Sequence, residues 1–323
     1  MKISLVVPCY NEEEILPHTL RELTGFLRRC VDEKLAAPSS EIIFVDDGSR
    51  DRTWPLITEA AQTFPEVRGV KLSRNRGHQN ALLAGLAEAS GDFIVTIDAD
   101  LQDDIAVIRD MILAAENGSD IVLGVRKKRD TDTFFKKFSA LGFYRLMRVM
   151  GVDIVPNHAD FRGMSRRTVA ALFEYREVNL FLRGLIPELG YPTSIVYYDR
   201  QERLAGETKY PLRKMLAFAW QGITSFSTFP LKLVTLTGLA FAVASLLIVA
   251  WALIIRFFTD NAVPGWTSTM VPLIFLAGIQ LLGLGIIGEY LGKIYLEVKR
   301  RPRYFVEKVI GLADGRRGEK DSD

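Results

Sequence analysis

Through the first 125 residues, short β-rich apolar blocks alternate with longer helical stretches. The strands expected are "ISLVVP", "EIIFVDD", "VRGVKLS", "DFIVTID" and "DIVLGVR". Helices are expected from about Glu13, from about Thr53, near residues 79 to 89 and near residues 105 to 116. Such alternation predicts an α/β fold, Rossmann-like, with a mostly parallel sheet covered on both faces. No G-x-G-x-x-G follows the first strand, where "PCYNEEE" stands instead, so the dinucleotide signature is missing.

Beyond residue 130 the pattern changes. A helix is expected around "FFKKFSALGFYRLMRVMG" and a strand near "TSIVYYD". Residues 211 to 229 are amphipathic with cations at their start, which suits helices lying at a membrane surface. Lys232 and Arg256 bound 23 uncharged residues, and Asp260 and Glu289 bound 28 more. Both runs exceed the ~20 residues that cross a bilayer core, so a hairpin of two transmembrane helices is expected within residues 230 to 296. Arg213, Lys214 and Lys232 precede the first span, and Lys293, Lys299, Arg300, Arg301 and Arg303 follow the second, which puts both ends on the cytoplasmic side. The domains expected are therefore a cytosolic domain over 1–210, interface helices over 211–229, the hairpin over 230–296, and a basic segment with a disordered tail over 297–323.

Composition narrows the chemistry. Cys9 and Cys30 are too few for a disulfide framework or a thiolate metal site. The formal charge of +2 gives no reason to expect nucleic acid as a partner, and no secretory signal opens the chain. His18, His78 and His158 are scattered and read as structural or surface residues.

Polar clusters fall after each expected strand: "PCYNE", "DDGSRD", "SRNRGHQN", "DADLQDD" and "RKKRD". Ligands on such sheets bind outside the carboxyl ends of the strands, so five clusters in register predict one composite site. Asp98, Asp100 and Gln102 supply oxygen ligands spaced to meet one hard cation, Mg2+ or Mn2+, which leaves positions open for phosphate oxygens. Tyr10 offers a stacking face, Arg126 a planar fork suited to phosphate, and Lys209 a mobile point charge.

"VVPCYNEEE", "VDDGSRDRT", "RNRGHQNALLAG" and "DADLQDD" resemble the blocks of family 2 glycosyltransferases of the GT-A fold. With "DFRGMSRR", "RLAGETKY" and "GEYLGKIYLEVKRRPRYFV", the chain is similar to polyisoprenyl-phosphate glycosyltransferases, the bactoprenol glucosyltransferase branch near dolichol-phosphate mannose synthase. The resemblance assigns Pro8, Tyr10, Glu12 and Asp47 to the nucleotide, Arg76 to the neighbouring loop, and Asp98, Asp100 and Gln102 to the metal and diphosphate. It assigns Arg126 and Lys136, with Lys137 as the alternative, to the lipid phosphate, and places the Asp160 carboxylate near the acceptor. Arg200, Arg203 and Lys209 resemble a basic segment that reaches the phosphates. Catalysis would then rest on Asp100, Asp160 and Arg126.

The activity implied is inverting, metal-dependent transfer of a sugar, glucose from UDP-glucose, to undecaprenyl phosphate at the cytoplasmic face of a bacterial inner membrane. A flippase and a downstream transferase are the expected partners, and the resemblance suggests a homotetramer. Two rivals stand beside it: a processive polysaccharide synthase, which ordinarily carries a Q-x-x-R-W motif absent here, and a membrane-anchored nucleotide-sugar-binding regulatory protein with a degenerate transferase domain.

Overall fold

The computed structural model describes residues 1–126, 158–177, 182–198, 229–258 and 265–311. These fall into two units, one of residues 1–126, 158–177, 182–198 and 301–311, the other of residues 229–258 and 265–300.

The first unit is built on an eight-stranded sheet of order β7-β5-β6-β4-β1-β2-β3-β8. Its strands are β1 (Ile3–Cys9), β2 (Glu41–Asp46), β3 (Val67–Leu72), β4 (Phe93–Thr96), β5 (Ile121–Arg126), β6 (His158–Ser165), β7 (Thr193–Tyr198) and β8 (Val306–Ile310). Every residue of β1, β2 and β4 is buried, as continuous apolar runs require when helices cover both faces of a sheet.

Helices α1 (Leu16–Asp32), α2 (Thr53–Thr63), α3 (His78–Glu88) and α4 (Val107–Glu116) connect the first five strands. α1 carries Pro17 in its first turn, where the missing N–H costs nothing, and buries Leu16, Leu20, Leu23 and Leu27 along one stripe. It begins three residues later than the expected Glu13, because residues 12–15 form a turn in which Ile15 and Leu16 donate to the Glu12 carbonyl. α3 lies against β1 and β2 so closely that a Cβ on Gly85 would meet the side chains of Val6 and Val45. That contact fixes α3, and with it the position of its first residue, His78.

The sheet is mixed, with two strands running against the other six. β1, β2, β3 and β4 pair in parallel, but β6 runs antiparallel between β4 and β5, and β8 runs antiparallel on β3. β4 and β5 therefore do not pair with each other. The reversal of β6 brings its amino-terminal residues, including Asp160, to the carboxyl ends of β4 and β5. β7, parallel to β5, sets Tyr198 level with Arg126. Two more helices follow β6: α5 (Arg166–Glu174), capped by Ser165, and α6 (Leu182–Glu188).

The second unit holds α7 (Phe229–Phe258, 30 residues) and α8 (Trp266–Lys299, 34 residues). Phe241 stacks edge-on against Phe275 at 5.8 Å, and Val234 approaches Gly283, so the two helices run antiparallel. Among the described residues one stretch is long and apolar enough to cross a membrane: Phe275–Lys299, 25 residues with mean hydropathy 1.5 and 6% of its apolar window buried in protein. Among the described residues there is thus one such helix where the sequence led us to expect two. The interface helices of 211–228, the helix expected around "FFKKFSALGFYRLMRVMG", and Lys136, Lys137, Arg200, Arg203 and Lys209 lie outside the described residues.

Candidate active site

The carboxyl ends of β1 to β4 collect the polar clusters as expected, and β5 ends on Arg126. Asp46, the last residue of β2, turns the chain by accepting the Ser49 N–H on Oδ1 at 3.1 Å. Its Oδ2 is buried with no hydrogen-bond partner among the described residues, and burial raises its carboxyl above the usual range. Gly48 has φ +69°, and a Cβ there would stand 2.6 Å from the Arg74 carbonyl carbon and the Asn75 nitrogen. Only glycine lets the β3–α3 loop pack on this turn.

Asp47 completes that contact. It is 3% exposed and accepts the Arg76 N–H on Oδ1 (2.7 Å) and the Gly77 N–H on Oδ2 (2.8 Å). The residue read from sequence as a nucleotide ligand is thus also the anchor of the loop that bears Arg76. Pro8 is buried inside β1, paired with Val45, whereas Tyr10 presents an exposed ring just beyond the strand. The Glu12 N–H donates to Thr53 Oγ1 at 2.8 Å, fixing the turn after β1 to the start of α2.

After β4, the loop carries Asp98, Asp100 and Gln102. Leu101 sits at φ 45°, and the Gln102 N–H donates to Asp100 Oδ1 at 3.3 Å, so the segment turns tightly enough to gather its oxygens. Asp100 also lines a cavity of about 560 Å³ together with His18, Asp103 and Arg109. The Asp98 side chain keeps 39% of its surface accessible, yet its carboxyl is pushed up to about 6. Desolvation is the main cause, His78 opposes it, and the neighbouring Asp160, Asp103 and Asp100 add to it. The Asp98 and Asp100 carboxylates on one tight turn, together with the amide oxygen of Gln102, fit a hard divalent cation. No group of three or more His, Cys, Asp or Glu side chains is already closed around a metal position among the described residues. The oxygens would have to converge as the cation binds.

Asp160 differs sharply from Asp98. Arg162, 1% exposed, donates through Nη2 to Asp160 Oδ1. Arg183 forks onto the same carboxylate, with Nη2 3.0 Å from Oδ2 and Nε 3.3 Å from Oδ1. Although burial acts to raise it, the two guanidiniums hold this carboxyl well below the usual carboxylate range. His78 Nε2 stands 3.4 Å from Asp98 Oδ1 and 3.7 Å from Asp160 Oδ2, linking the two carboxylates.

Arg126 at the end of β5 is also engaged. Its Nη2 lies 3.0 Å from Asp103 Oδ1, its Nε donates to the Tyr198 hydroxyl at 3.2 Å, and that hydroxyl donates to Asp103 Oδ1 at 2.5 Å. Burial and then the Asp103 charge raise the Tyr198 phenol, so it remains a proton donor. Arg126 retains 30% side-chain exposure and can still offer its outer edge to a ligand.

Five residues of this site were absent from the sequence-based set: His78, Asp103, Arg162, Arg183 and Tyr198. Three of them stood inside quoted motifs, "RGHQN", "DADLQDD" and "DFRGM". Arg183 and Tyr198 had no such signal: the pairing of β7 with β5 brings in Tyr198, and α6, docked on Gln79, brings in Arg183.

Known proteins resemble this chain over most of its length. The model of glycosyl transferase family 2 matches residues 4–173. YkoT, an uncharacterized glycosyltransferase of Bacillus subtilis (strain 168), is 50% identical over 307 residues, 94% of this chain and 91% of its own. The prophage bactoprenol glucosyl transferase homolog of Escherichia coli (strain K12) is 42% identical over 310 residues, 96% of this chain and 99% of its own. The crystal structure of glucosyl-3-phosphoglycerate synthase from Mycobacterium tuberculosis in complex with Mn2+, UDP and phosphoglyceric acid aligns with a TM-score of 0.45 and 20% identity, over 69% of this chain and 76% of that one. The chain belongs to glycosyl transferase family 2 and is a glycosyltransferase.

Proposed function

We propose that this enzyme transfers glucose from UDP-glucose to undecaprenyl phosphate, with inversion at the anomeric carbon, at the cytoplasmic face of a bacterial inner membrane. The observation that carries the reading is the state of Asp160. A carboxylate held ionised by two arginines is a weak base, unsuited to deprotonating an alcohol. A phosphate monoester needs no such base, because with a second pKa near ~6 it already bears an anionic oxygen at neutral pH. The relatives named bactoprenol glucosyl transferase support the same acceptor.

In this reading Pro8, Tyr10, Glu12, Asp47 and Arg76 receive the uridine, and Asp47 acts partly by holding the Arg76 loop in place. Asp98, Asp100 and Gln102 would hold Mg2+ or Mn2+, which when bound offsets the charge of the departing diphosphate. Arg126 orients the acceptor phosphate from a fixed frame of Asp103 and Tyr198. Lys136 or Lys137, Arg200, Arg203 and Lys209 are assigned to the lipid phosphate by resemblance alone.

The membrane assignment is supported by the apolar surface of α7 and α8. Leu236, Leu247, Leu281 and Leu282 are each roughly two-thirds exposed, far more apolar surface than a helix pair would leave in water. The 30-residue α7 is long enough to serve as a second span, so the reading is a multi-pass protein with both termini cytoplasmic. Moving the finished lipid across the bilayer would fall to a separate flippase, with a downstream transferase using it.

The test is to incubate the purified protein with undecaprenyl phosphate and a panel of nucleotide sugars, and to identify lipid products by mass spectrometry. A hexosyl adduct from UDP-glucose is expected. A product with another acceptor only would reject the reading.

A further inference from the structure

The turn that carries the expected metal ligands alternates inward and outward. Ile97, Ala99 and Leu101 are buried in the apolar core, whereas Asp98 and Asp100 between them keep part of their surface accessible. The Asp98 carbonyl accepts the Leu101 N–H at 3.3 Å, which closes the turn, and Leu101 takes a φ of 45° within it. The direction of the two carboxylates therefore depends on how firmly Ala99 is held inward. A single methyl group gives little grip of its own.

The hold comes from α1. Thr19 is fully buried, and its hydroxyl donates to the Ala99 carbonyl at 2.6 Å. A threonine hydroxyl has one proton to give. The Ile15 carbonyl, four residues back on the same helix, stands farther off at 3.2 Å. Thr24, also buried on α1, shows the ordinary arrangement: its hydroxyl stays within the helix and donates to the Leu20 carbonyl at 2.6 Å. Thr19 departs from that arrangement to reach the loop. Its bond lies in the dry core, where removing the hydroxyl would strip the carbonyl of this donor with no bulk water to replace it. α1 is itself fixed, by its buried leucine stripe and by the turn in which Ile15 and Leu16 donate to the Glu12 carbonyl. One helix thus runs from the turn assigned to the nucleotide to the turn assigned to the metal.

We propose that Thr19 is a positioning residue for the divalent cation, holding Ala99 inward so that Asp98 and Asp100 stay turned outward together. The inference rests on the reading of Asp98, Asp100 and Gln102 as metal ligands, and it adds a residue that neither the motifs nor the resemblance assigns. Thr19 touches no substrate and acts through the Ala99 backbone. Hydrogen bonds behind metal ligands fix their orientation, and losing one weakens the metal rather than abolishing it.

The experiment uses the full-length protein in detergent, stripped of metal by chelator and titrated with Mn2+ at a fixed concentration of UDP, with bound ion followed by EPR. Thr19→Val, which keeps the shape and loses the hydroxyl, should weaken Mn2+ binding about tenfold. Thr19→Ser, which keeps the hydroxyl, should stay within about twofold of wild type. Thr24→Val loses only a bond internal to the helix and should leave Mn2+ affinity unchanged, whatever it does to Tm. Wild-type affinity in Thr19→Val, an equal loss in Thr24→Val, or no recovery in Thr19→Ser would overturn the assignment. Should the valine variant fail to fold, Thr19→Ala decides by the same comparison. Absence of bound Mn2+ in wild type, or undiminished binding by Asp100→Asn, would refute the metal reading itself and this inference with it. Binding lost in Asp100→Asn but kept in Thr19→Val would refute the role of Thr19 alone.

Discussion

Two aspartates at neighbouring strand ends are driven in opposite directions by their surroundings. Asp98 is raised by desolvation and by nearby carboxylates, and Asp160 is lowered by Arg162 and Arg183. For Asp98 the sign of the stability effect follows directly. Its folded value, about 6, exceeds the unfolded one, so the metal-free protein loses stability as pH rises from about 4 through about 6. In chelator at pH 7.5, Asp98→Asn should therefore unfold at a higher temperature than wild type. After discounting for a side chain that is 39% accessible, the gain is on the order of 1 kcal/mol. The difference should vanish near pH 4, and Mg2+ or Mn2+ should stabilise wild type but not the variant. A less stable Asp98→Asn protein at pH 7.5 in chelator would contradict the charge argument. Activity should follow the same residues: Asp100→Asn is expected to lower turnover by about 100-fold or more while the fold persists, measured as glucosyl-lipid formed per minute.

At the scale of elements, the β2–α2 turn and the β3–α3 loop act as one piece. Asp47 and Gly48 both press on residues 74–77, the first by hydrogen bonds and the second by the absence of a Cβ. Gly48→Ala should destabilise the protein by about 2 kcal/mol or more, from strain at positive φ plus a backbone clash. UDP-glucose affinity should fall as the Arg76 loop shifts. Thermal unfolding and calorimetry check both, and unchanged values in each would show that the loop packs some other way. The first five strands and four helices were legible because their apolar runs and intervening helices repeat with a regular spacing. β6 and β8 were not. "HADFRGMS" mixes charged and small residues and reads as loop until Arg162 is seen buried against Asp160, and "VEKVI" is a half-exposed edge strand with little hydrophobic signal. The metal and nucleotide candidates lay in contiguous motifs and were named in advance. Tyr198 depends on pairing with Arg126 across 72 residues and on a strand order that no local pattern encodes, and Arg183 on a helix docked against Gln79.

For the whole molecule, a sheet whose strand ends gather charged side chains is joined in sequence to a helix pair with an apolar surface. Single cysteines near Asn261 and near Lys320 test the orientation proposed for that pair in intact cells, with native Cys9 and Cys30 buried and silent. Label applied from outside should reach the first position and not the second; the reverse would reject the topology. The central claim is that the acceptor's own phosphate oxygen is the nucleophile and that the enzyme supplies cations instead of a base. Its most direct test offers the enzyme undecaprenyl phosphate and undecaprenol side by side with UDP-glucose and determines the anomeric configuration of the product by NMR. The account predicts transfer to the phosphate alone, giving a β-linked glucosyl phosphate from the α-linked donor. Efficient transfer to the free alcohol, or an α-linked product, would contradict it.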